Sequence, residues 1–135
     1  MEQRHEASRC RQRIAERMAE LEGLVAAVQG RTPLVRGSLY AYRRRCGKRG
    51  CRCARGTLHL GHAFCVSEGG RSRTVPVRGV DREALAECVR AYREHRRARA
   101  RMVKAFDDLV AAVDELERAR AIALAQVRRR RAVER

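Results

Sequence analysis

The chain reads as an α+β protein, mostly helical. We expect an N-terminal helix, a small three-stranded β-sheet, and a long C-terminal helix or helix pair forming a coiled coil. Three observations carry this expectation. Apolar residues recur at alternating spacings of three and four near both ends of the chain. Between those stretches the apolar period falls to two around a Gly-Gly pair. The same middle stretch gathers four of the six cysteines, two of the four histidines and most of the net positive charge.

The first helix is expected within residues 1–30. Ile14, Met18, Leu21, Val25 and Val28 form one heptad seam, Gly30 follows as a stop, and Pro33 forbids continuation. The middle segment, 31–78, alternates instead. Tyr40 and Tyr42 fall on one face of a short strand, with Leu39 and Ala41 on the other. Gly69-Gly70 supplies the positive φ values of a tight hairpin, which pairs Phe64 with Val75 and His62 with Val77. Pro76 has no N–H to give a ladder, so the last strand is expected at an edge. The third segment, 79–135, returns to the helical period, with Asp81 as the expected N-cap. Its expected seam is Leu85, Cys88, Tyr92, His95, Arg99, Met102, Phe106, Leu109, Val113 and Leu116, fading through Ala123 and Val127. No Gly or Pro interrupts it, although polar His95 and Arg99 leave open a break near 95–101. So long a seam needs a cover. The first helix can supply part of it and a second chain the rest, so a homodimer is expected.

Charge sets the partner class. The chain has a net charge of +16 and an isoelectric point near 11.2. The surplus is uneven: segment 1–30 balances five Arg against five Glu, whereas 31–78 sets eleven Arg and one Lys against Glu68 alone. An anionic partner is the usual counterpart of such a field, and nucleic acid is the commonest. No run of about 18 apolar residues is present, so no membrane-spanning helix is expected. The N-terminal residues MEQRHEASRC lack a signal-peptide pattern, giving a cytoplasmic expectation, nucleoid-associated if the partner is DNA. In a reducing compartment the cysteines stay free or bind metal.

The cysteine segment runs C-x4-C-x-C-x5-H-x2-H-x2-C, from Cys46 through Cys51, Cys53, His59 and His62 to Cys65. A structural zinc ion takes four thiolate or imidazole ligands in a tetrahedron, which short loops between strands can deliver. Cys46, Cys51 and Cys53 are three candidates; His59, His62 or Cys65 would be the fourth. Three thiolates around a divalent cation give a site of net charge −1, which relieves the local repulsion. Gly47, Gly50 and Gly56 suit a chain folded tightly around an ion. A thiol enzyme is the less favoured account. Neighbouring arginines would activate Cys51 or Cys53, but no carboxylate other than Glu68 is available to orient a histidine base. We therefore expect neither catalysis nor a small-molecule substrate. Cys10 and Cys88 lie in helical pattern and read as small apolar residues.

The stretch CGKRGCRCARGTLH resembles the core of an uncharacterised bacterial zinc-ribbon-like family, written C-G-K-x-x-C-x-C-x-x-G-x-x-H, which continues into a short strand, a Gly-Gly hairpin and a long helix. Cys46, Gly47, Lys48, Cys51, Cys53, Gly56 and His59 match it, and VRGSLY and EGGRSRTVPV resemble its flanks over about residues 35–95. Leu60, Gly61 and His62 replace the G-P-Y of that pattern. The resemblance implies a metal-binding fold, mobile-element neighbourhoods and the ligand set Cys46, Cys51, Cys53 and His59.

Arg43, Arg44, Arg45, Lys48, Arg49, Arg52 and Arg55 would crowd this loop, and guanidinium forks suit phosphate oxygens. Tyr40 and Tyr42 could stack bases, although packing against a helix is the simpler account. A second basic stretch, RAYREHRRARARMVK, adds Arg96 and Arg97 as candidate phosphate contacts on the long helix, where a solvated face is the plainer reading. The tail RRRR at 128–131 would be a basic, weakly phosphate-binding end. The expected function is a zinc-stabilised accessory or regulatory protein binding nucleic acid, double-stranded DNA foremost, chiefly through phosphates. The alternative is a coiled-coil adaptor for an acidic protein partner of mobile-element or toxin type.

Overall fold

The computed structural model describes residues 2–134. The order is α1 (Glu2–Val28), β1 (Ser38–Arg44), a 3₁₀ turn at Arg52–Arg55, β2 (His59–Glu68), β3 (Arg71–Val77), α2 (Gly79–Arg120) and α3 (Leu124–Val133). The three strands form one antiparallel sheet in the order β1-β2-β3. This is the α+β, mostly helical architecture expected, with the cysteine loop between the first two strands.

Contacts group the chain into two compact units. One is Gly30–Arg97; the other comprises the described residues on either side of it. α2 contributes its first part to the sheet unit and its remainder to the helical unit.

The hairpin register is the one read from Gly69-Gly70. Phe64 pairs with Val75 and His62 with Val77, and both glycines adopt positive φ (56° and 76°). β3 is an edge strand, so the missing N–H of Pro76 costs no ladder bond. Leu39, Phe64 and Val75 line up across the three strands on one face, while Tyr40, Ala63 and Pro76 line up on the other. Leu39 shares a cleft with Ala86, Val89 and Arg90 of α2. The strap before β1 is tied to α2 by the Val35 N–H, which donates to the Cys88 carbonyl at 3.2 Å.

In the helical unit, α1 runs antiparallel to the later part of α2. Arg13 donates to Glu115 at 2.7 Å, Arg17 approaches Asp108 at 3.8 Å, and Arg101 approaches Glu20 at 3.5 Å. The Glu115 carboxylate raises the pKa of the Arg13 guanidinium, first through this hydrogen bond.

The helical seam corrects one column of the expected pattern. Met102, Leu109 and Leu116 are half-buried as expected. The column beside them that faces α1, however, is Ala98, Ala105 and Ala112, all buried, and not Arg99, Phe106 and Val113. Phe106 and Val113 are 57% and 47% exposed. α1 shows the same displacement. Ile14, Leu21 and Val28 are half-buried, but the adjoining column is Cys10, Arg17 and Leu24, while Met18 and Val25 are exposed. The physical reason is size: interaxial distance depends on the side chains at the contact, and an alanine column lets two helices approach closely. Larger residues are then left on the flank.

Two further expectations change, and one open alternative is decided. α2 begins at Gly79, so Asp81 lies in its first turn, not at its N-cap, where its carboxylate still faces the positive helix end. α2 continues unbroken through 95–101, so the long helix does not divide there. It ends at Arg120, and α3 restarts at Leu124, with the Gln126 side chain accepting the Ala123 N–H at 2.8 Å. Ala123 thus precedes a new helix and does not extend the seam.

Candidate metal centre and its basic surface

The loop between β1 and β2 returns on itself through short backbone bonds. The Cys51 N–H donates to the Lys48 carbonyl, Ala54 to Cys51, and Gly56 to Cys53, at 3.3, 3.1 and 3.4 Å. Gly56 closes the 3₁₀ turn with φ 114°, and Gly47 turns the chain just after Cys46 with φ 78°. Both values lie where a Cβ is strained, which explains glycine at these two positions. Gly50, also singled out in the sequence, is not among the glycines of positive φ.

This path converges four side chains. One ligand atom each from Cys46, Cys51, Cys53 and His59 lies within 4.8 Å of all the others. The Cys46 and Cys53 sulfurs are 3.5 Å apart, and Cys51 Sγ is 3.0 Å from His59 Nε2. The edge of a tetrahedron with zinc–sulfur bonds of about 2.3 Å is about 3.8 Å, so the donor set fits a tetrahedral zinc-type ion. The Cys46 N–H donates to Cys53 Sγ at 3.3 Å, which ties the start of the loop to its buried cysteine. Cys53 is 1% exposed, Cys51 is half-buried, and Cys46 and His59 reach the surface. The cluster therefore has one ligand rooted in the interior and an outer edge open to solvent. It can bind a metal ion.

His62 and Cys65, the other two candidates for the fourth position, are not brought into the cluster. Strand geometry gives the reason. His59 and His62 are three residues apart on β2, so they emerge on opposite faces. Cys65 shares the face of His59, but six residues along a strand is about 20 Å. His62 instead lines a cleft with Leu39, Ala41, Glu83 and Glu87.

Arg43 and Arg44 end β1, where Arg44 is paired with His59. Arg45, Lys48 and Arg49 follow in the loop, and Arg52 and Arg55 belong to the 3₁₀ turn. All seven are exposed. None is in an ion pair among the described residues. Arg96 and Arg97 are also exposed, on α2. Tyr42 lies over Gly61, where an added Cβ would meet its ring at 2.7 Å. This contact was missed in the sequence, although a glycine inside a strand pattern commonly marks such a close approach. Tyr40 stands 6.4 Å from Tyr42, centroid to centroid, and is 44% exposed.

No family model, curated protein or solved structure matches the chain. Among the described residues no helix is long and apolar enough to cross a membrane.

Proposed function

We propose that the chain is a zinc-stabilised, basic accessory or regulatory protein that binds double-stranded DNA chiefly through phosphates. The observation that carries this reading is one segment, Arg43–His59, doing two things: converging three thiols and an imidazole, and exposing seven basic side chains that have no ion-pair partner among the described residues. The ion is structural. It fixes the loop, and the fixed loop presents arginines and Lys48 as a set, so less ordering entropy is lost on contact with a phosphate backbone. Arg96 and Arg97 are further phosphate contacts, and Tyr40 has the exposure to reach a base or sugar. The likeness of CGKRGCRCARGTLH to the zinc-ribbon-like pattern supports the ligand assignment. This reading gives the cluster a structural role, since the groups that converge there, three thiols and an imidazole, are metal ligands. Binding of this kind lets one chain occupy many sequences, as nucleoid-associated proteins do.

The adaptor reading, a coiled coil docking an acidic protein partner, has one observation in its favour: the apolar residues exposed on α2. A duplex-binding titration across a salt series, before and after chelation, separates the two. The DNA reading expects affinity that falls steeply as salt rises, with a logarithmic slope of about −0.9 per phosphate neutralised, and that collapses on chelation. Metal-loaded protein that fails to bind duplex at low salt would move the function to the adaptor.

A further inference from the structure

The column left outside the helical seam forms a stripe of its own. Val103, Phe106, Val110 and Val113 are all exposed, and spacings of three, four and three place them on one line of α2. At 100° per residue, Arg99 and Glu117 fall on the same line, four residues beyond either end. Both are exposed, and neither is in an ion pair among the described residues. Met18 and Val25 extend the apolar surface onto α1. Each follows a seam residue by one position, as Phe106 follows Ala105 and Val113 follows Ala112. In an antiparallel pair that shift carries both helices' exposed residues to the same side.

Charge along this part of α2 is ordered. Arg99, Arg101 and Lys104 come first without an acid among them; Asp107, Asp108, Asp114, Glu115 and Glu117 follow without a base. A helix that is basic at one end of an apolar stripe and acidic at the other complements itself only when reversed.

We propose that the stripe is a two-fold interface with a second copy of this chain, α2 lying antiparallel to its counterpart. One register satisfies both the stripe and the charges. Phe106 meets the partner's Val110, Val103 meets the partner's Val113, and Arg99 meets the partner's Glu117. All three pairs are centred on the level of residue 108, as a single two-fold axis requires. A parallel pairing would set Arg99 against the partner's Arg99 and stack the acidic ends, so the charge order selects the antiparallel arrangement. The interface is independent of the nucleic-acid reading, since a monomer that binds DNA would overturn this inference alone.

Sedimentation equilibrium on the full chain, metal-loaded and reduced, tests it. The wild type is expected to dimerise, with Arg99→Glu or Glu117→Arg each weakening dimerisation about tenfold or more by creating two like-charge contacts across the axis. Combining R99E with E117R is expected to restore the dimer to within about threefold of wild type. Phe106→Asp is expected to give a monomer of unchanged helicity by circular dichroism; should it lose helicity, the charge swap decides. A wild type that stays monomeric over a wide concentration range, or a double variant no better than either single one, would overturn the proposal.

Discussion

In the helical unit the side chains withdrawn from water are Ala7, Cys10, Leu24, Ala98, Ala105 and Ala112, spread along two helices. In the sheet unit they are Cys53, Ala63 and Val89, and the most deeply buried of these is a thiol. The first unit has a continuous seam, reinforced at its edges by Arg13–Glu115, Arg17–Asp108 and Arg101–Glu20. The second has a three-stranded sheet, a long loop between its first two strands and almost no apolar interior. A unit of that size with that core falls where metals or cross-links ordinarily supply the missing stability. The contrast teaches that the most deeply buried side chain of the sheet unit, Cys53, is one of the four residues that converge at Cys46, Cys51, Cys53 and His59.

The largest effect should come from removing the cluster. Chelation, or Cys53→Ser, is expected to abolish tight metal binding and loosen Gly30–Arg97 while the helical unit keeps its protection. Apparent free energies on the order of 10 kcal/mol accompany structural zinc in small domains. Hydrogen exchange on the full chain reads this directly: amides of β1 and β2 should exchange rapidly after chelation, and those of α1 and of α2 beyond Ala98 should not. Equal loss in both units would contradict a sheet unit that depends on the cluster and a helical unit that does not.

Next in size is overpacking the other unit. Ala112 is 0% exposed in the seam, so Ala112→Leu should force the helices apart and lower stability by about 1–3 kcal/mol in a urea titration. Phe106→Leu, on the exposed column, should change monomer stability by less than about 0.5 kcal/mol. A reversed order would restore the seam expected from sequence.

Gly56→Ala comes third. At φ 114° the added Cβ costs about 1 kcal/mol, expressed as weaker metal retention in a competition with a chelator, while Gly50→Ala should be nearly silent. The smallest effect belongs to Glu115→Gln. The pair with Arg13 is solvent-accessible, so its loss should be visible only at low salt and vanish at high salt.

Much of this was legible in the residues. The hairpin register followed from Gly69-Gly70 and strand parity alone, and the helical nature of the two flanking segments followed from period. The same parity argument could have excluded His62 as a ligand: the hairpin count placed it on a strand, and His59, three positions earlier, had to emerge on the other face. What was not legible was which of two neighbouring columns α1 would cover. Phe106 and Val113 are more apolar than Ala105 and Ala112, so hydrophobicity points to the wrong column, whereas close approach of two helices rewards the small side chain. The end of α2 at Arg120 was equally hidden, because no Gly or Pro marks it.

Metal content per chain, measured on protein purified under reducing conditions beside Cys53→Ser, tests the central claim most directly. The account predicts one zinc per wild-type chain, three thiols protected from alkylation until chelator is added, and no retained metal in the variant. Wild-type protein without metal, with Cys46, Cys51 and Cys53 freely alkylated and the sheet unit still protected from exchange, would contradict it.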